Sequence, residues 1–131
     1  MKINIFLILI FLCFIIFQIG CDDTTTGIDT KVIPSSNVSF GEHIAQVFLS
    51  KCANSGCHDD AAKAGGVSLT TWVGATDPAI VVKGDPENSK LVWTIERIAG
   101  VPAMPPLGYS ALTANQIDGI KTWIKEGAKN N

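Results

Sequence analysis

The sequence predicts a small all-α fold, and three observations predict it. Ser39 and Thr113 each open a capping box followed by apolar residues at helical spacing. The ground between holds a Gly- and Ala-rich stretch, 59–66, and Val101-Pro-Ala-Met104-Pro-Pro-Leu-Gly108, whose three prolines exclude a helix. Helices joined by extended loops follow from that pattern.

The chain opens with Lys2 and an apolar run over 5–17, then Gln18-Ile-Gly-Cys21. One positive charge, a short apolar core and a small residue at position 20 predict a signal peptide over 1–20. The run falls short of the roughly 20 apolar residues that a membrane span needs. The Gly20-Cys21 junction resembles the lipobox of bacterial lipoproteins, with Gln18 where that motif usually carries Leu. The resemblance implies acylation of Cys21 and a lipid anchor, with the domain exported to the periplasmic side. Residues 21–38 lack apolar periodicity and read as a flexible tether, able to span on the order of 20 Å. The domain is expected over 39–131.

In the domain, Ser39-Phe-Gly-Glu42 begins a helix with Phe40, Ile44, Val47 and Phe48 on one face, running directly into Lys51-Cys52. Val67–Val73 fits neither period and is expected to be irregular. Asp85-Pro86-Glu87 predicts a helix start, with Leu91, Ile95 and Ile98 as the buried stripe and Gly100 as the stop. Thr113-Ala-Asn-Gln116 begins the last helix. There Ile117, Ile120, Trp123 and Ile124 share a face and Gly127 ends it.

Composition narrows the function. Ten Lys or Arg, one of them Lys2 in the leader, stand against twelve Asp or Glu. That mildly acidic balance, with no basic stripe, argues against a nucleic-acid partner. Of four cysteines, Cys13 lies in the leader and Cys21 at the lipid site, which leaves Cys52 and Cys57 for the domain.

Cys52-Ala-Asn-Ser-Gly-Cys57-His58 carries the chemistry. Two cysteines followed at once by histidine mark covalent haem attachment: the thiols add to the haem vinyl groups and the histidine takes the iron from one face. Here four residues separate the cysteines rather than two, so the segment must bulge, which Gly and Asn tolerate. A Cys52–Cys57 disulfide is the competing reading in an exported protein. A zinc site would have to recruit His43 beside His58, a poor match to the usual separated ligand pairs. Met104, on a proline-stiffened loop, supplies a thioether for the second axial position, and a Met/His pair raises the reduction potential. Trp72 and Trp93 are expected in packing rather than at the site. The second nitrogen of His58 calls for an acceptor, expected to be a backbone carbonyl in the following loop.

From about Phe40 to Ala128 the chain resembles the small class I cytochrome c domains of bacterial lipoproteins. The pieces stand in order: the helix into Cys52, the attachment motif in a variant Cys-x4-Cys-His form, Gly84-Asp85-Pro86, Met104-Pro105-Pro106 and Trp123-Ile-x-x-Gly-Ala128. The resemblance implies a class I cytochrome c fold, with helices packed around one covalently bound haem c. His58 and Met104 would be the iron ligands, and Phe48 would meet Trp123 where the first and last helices cross. Ile44 stands where the family often has a small residue, so a wider crossing is expected. The function implied is that of a monohaem electron carrier and not an enzyme. Its expected partners are redox proteins of a respiratory chain and a membrane reached through the anchor, and it is expected to be a monomer. The alternative is a haem-free, disulfide-stapled exported binding module.

Overall fold

The computed structural model describes residues 24–131. The elements are α1 (Thr24–Thr30), a π-helical turn (Phe40–Ile44) continuing into α2 (Ala45–Lys51), a 3-10 turn (Ala64–Gly66), α3 (Trp72–Ala75), α4 (Lys90–Ile95) and α5 (Ala114–Lys125). The described residues contain no strand, and no helix among them is long and apolar enough to cross a membrane. The leader and Cys21 lie outside the described residues.

Helix α5 follows its sequence closely. The Thr113 hydroxyl accepts from the Gln116 N–H, and the Gln116 side chain accepts from the Thr113 N–H, closing the capping box. Ile120, Trp123 and Ile124 are buried, and Gly127 at φ 99° supplies the left-handed residue that ends the helix. The first helix departs from expectation at its start. Ser39 Oγ accepts from the Glu42 N–H, but His43 Nδ1, not Glu42, accepts from the Ser39 N–H at 3.0 Å. The opening turn is π-helical, and it carries the contact with α5.

The core forms where these elements meet. The Trp123 ring packs on Phe40 with centroids 5.5 Å apart, and edge-on against Phe48 at 6.3 Å and 78°. Phe48 and Trp123 thus meet as the resemblance implied. Ile44 is fully buried at this junction. The segment expected to be a free tether is instead packed on the domain. Ile33 and Val38 are buried, and Asn115 Oδ1 accepts from the Ile33 N–H at 2.8 Å. The Glu126 carboxylate accepts from the Asn37 and Val38 N–H groups. Gly119 makes room for Ile33: a Cβ there would lie 2.6 Å from Ile33 Cγ2.

The middle helix starts later than expected. Asp85 Oδ1 accepts from the Asn88 N–H, so Asp85–Asn88 is a turn and α4 begins at Lys90. Leu91 and Ile95 are buried as predicted, whereas Ile98 is 45 % exposed. The helix has already ended before it, and Arg97 at φ 59° turns the chain. Gly100 therefore does not act as the stop. Residues 67–71 are irregular and run into the short α3.

Candidate functional site

Cys52, Cys57, His58 and Met104 all line one cavity of about 480 Å³. That volume is within the roughly 300–1,000 Å³ usual for cofactor sites. One wall is the end of α2 and the loop after it. Leu91, Thr94 and Ile95 of α4 and the segment around Met104, Pro105 and Pro106 also line the cavity. The apolar stripe of α4 thus serves the site as well as the core. Val67, Leu69 and Ile80 complete an apolar lining.

The attachment segment is shaped by its own backbone. Cys52 caps α2, its N–H donating to the Phe48 carbonyl at 2.9 Å. The four residues that follow fold into a turn in which the Cys57 N–H donates to Asn54 O at 2.9 Å and the His58 N–H to Cys52 O at 3.2 Å. Gly56 takes φ 82°, a left-handed conformation that Gly adopts without strain. The longer spacing is therefore absorbed as a local bulge, which brings Cys57 and His58 to the same cavity wall as Cys52.

Cys52 and Cys57 are both free thiols and both half-buried. Burial first, then the nearby Cys57, push the Cys52 thiol up to about 12, against a weaker opposing pull from Lys51. At neutral pH Cys52 is thus a neutral thiol, unlike the low-pKa thiolates of redox-active cysteines. His58 Nδ1 lies 3.3 Å from the Val67 carbonyl oxygen. With the proton on Nδ1, that contact leaves the Nε2 lone pair as the donor for a metal. The expected carbonyl acceptor is therefore Val67, brought near by Leu69 N–H donating to His58 O at 2.9 Å. Asp60 braces the same loop by accepting from the Ser68 and Thr70 hydroxyls at 2.7 Å each. These bonds, Ser68 first, hold its carboxyl below the ordinary range.

Met104 is positioned by its N–H donating to Thr94 O at 3.0 Å and by Arg97 donating to Pro105 O at 3.3 Å. Met104 also lines a second, more open cavity with Ile98, Leu112 and Ile117. His43 is occupied at the helix start and does not line the site. Trp72 and Trp93 also stay outside it, donating to Ala128 O and Glu87 O. Among the described residues no group of three or more His, Cys, Asp or Glu side chains could hold a metal ion. Sequence reasoning missed Lys51, which lines the cavity with its charge buried. Nothing near it in the chain signals this, because its carboxylate partner, Asp29, is 22 residues away.

The family model described as Planctomycete cytochrome C matches residues 55–108. The match supports a cytochrome c-like domain, and the helical, strand-free architecture is compatible with an all-α cytochrome c fold. The matched stretch holds Cys57, His58 and Met104, and it begins just after Cys52. No curated protein and no solved structure matches the chain.

A domain of this kind implies covalently bound haem c. The residues present fit that group. Two free thiols, an imidazole whose Nδ1 faces a carbonyl, and a thioether line a single apolar cavity. Cys52 and Cys57 would hold the haem through thioether bonds, with His58 and Met104 as the iron ligands.

Proposed function

We propose that the chain is a monohaem c-type cytochrome that carries single electrons, tethered to a bacterial membrane through a lipid on Cys21. One observation carries the reading. Residues from two distant stretches, Cys52–His58 and Met104, converge on the same apolar cavity. When bound, the haem supplies one-electron Fe(III)/Fe(II) exchange. The chain's own contribution is threefold. Val67 O orients the His58 ring, and the Met104 thioether would ligate the iron and favour its ferrous state. The apolar walls from Leu69, Ile80, Leu91 and Ile95 keep water from the iron. With His58 and Met104 both as ligands, the bound haem would exchange electrons and offer no open position for a substrate. Its partners are redox proteins of a respiratory chain, and the domain works as a monomer on the periplasmic side.

The test is a redox titration of the protein produced with a c-type maturation system, together with its haem-to-chain ratio. The expected result is one haem per chain and a single one-electron transition. Met104→Ala should keep the haem, lower the potential and admit imidazole to the iron. A wild-type protein that binds imidazole as readily as Met104→Ala would overturn the carrier reading in favour of an open iron site.

A further inference from the structure

Lys51 carries a buried charge that haem attachment does not itself require. Its side chain is 0 % exposed, one residue before Cys52, on the cavity wall. Burying an ammonium costs several kcal/mol unless it is paired and its donors are satisfied. Two groups meet that need. The Asp29 carboxylate of α1 lies 2.8 Å away through Oδ1 and 3.0 Å through Oδ2. The hydroxyl of Ser110 accepts at 2.6 Å.

The second bond is informative because of where Ser110 sits. The Met104–Ser110 segment is held on one side by Thr94 and Arg97, at the end of α4. The bond from Tyr109 N–H to Pro106 O is internal to the segment. Among the described residues, Lys51 to Ser110 is the one hydrogen bond joining this segment to the part of the chain that carries Cys52, Cys57 and His58. It ties the stretch that carries the cysteines to the stretch that carries the thioether.

We infer that Lys51 is a positioning residue for the Met104 segment. Its ammonium holds Ser110, and with it the far end of the segment, while Asp29 neutralises and orients the ammonium. The inference rests on the proposed haem site. It adds that the packed N-terminal segment and the thioether-bearing segment share one residue, so undocking Asp29 loosens Met104.

The test uses Ser110→Ala, Ser110→Thr and Lys51→Met in the haem-loaded protein. Ser110 is exposed, so its replacement leaves the core intact even if Lys51→Met fails to fold. Two quantities are read: the rate of imidazole uptake by the ferric protein, and hydrogen exchange of the backbone amides in 104–110. Loss of a charge-assisted hydrogen bond should raise both by about tenfold or more. Haem content should not change, and Ser110→Thr, which keeps the hydroxyl, should stay near wild type. Wild-type rates and wild-type exchange in Ser110→Ala would overturn the inference. A chain that takes up no haem would instead overturn the proposed function. Hydrogen exchange, read on that haem-free chain, would still decide the role of Lys51.

Discussion

The two halves of the molecule are built on different principles. The frame, made by the π turn, α2, α5 and the segment before them, is held by close packing. Ile44, Phe48, Ile120, Trp123 and Ile124 are all fully buried there. The half that holds the site is mostly loop, held by backbone and side-chain hydrogen bonds, and its key side chains Cys52, Cys57, His58 and Met104 are only half-buried around a cavity. On the proposed function, the packed frame carries loops that a haem would complete.

The frame depends most on Trp123. Trp123→Ala should destabilise the protein by about 3–5 kcal/mol, since a fully buried aromatic is lost with its contacts to Phe40 and Phe48. Urea unfolding of the haem-loaded variant checks this. A loss below about 1 kcal/mol would mean that the haem, and not the frame, holds the fold.

Gly119→Ala should cost less, about 1–3 kcal/mol, because the new methyl meets Ile33 and something must shift. Limited proteolysis should then show cleavage within 31–38 while the rest of the chain stays intact. An unchanged cleavage pattern would mean that the N-terminal segment is not seated on α5 in solution.

The smallest effect concerns acid. The hydrogen bond from Lys51, then that from Gln116, holds the Asp29 carboxyl below its ordinary 3.8, against some opposition from burial. A carboxylate lowered on folding contributes stability that is fully present above the unfolded value, and that is lost as pH falls from about 4 through the folded value. Asp29→Asn should therefore flatten the stability profile below about pH 4 and lower stability above it. Parallel profiles for variant and wild type would show that the ion pair contributes nothing.

What the sequence revealed follows the same division. The frame was readable because packing writes itself as periodicity: the Thr113 capping box, the stripe through Trp123 and the stop at Gly127 all stand as predicted. Cys52, Cys57 and His58 stand out as a local motif and Met104 as a methionine set between prolines, and the fold brings the four to one cavity. Elements without either signal were not readable. Ile33 and Val38 are isolated apolar residues in a polar stretch, so only the folded chain shows them docked. Asp85 looks like a helix cap, but its carboxylate is used by the turn to Asn88, and Ser89 takes the cap position. Glu42 loses its place in the capping box to His43 because the first turn is π-helical and presents position 43 to the Ser39 N–H. The burial of Lys51 depends on tertiary contacts with Asp29 and Ser110 that no local pattern encodes.

On the proposed function, haem bound through Cys52 and Cys57 completes the cavity side of the molecule. The most direct test is a haem stain of the protein on a denaturing gel, after production with a c-type maturation system, beside Cys52→Ala, Cys57→Ala and the double variant. Haem that stays with the wild-type polypeptide, and is lost from the double variant, is the result predicted. A wild-type band without haem, in a host that matures a control cytochrome, would contradict the claim.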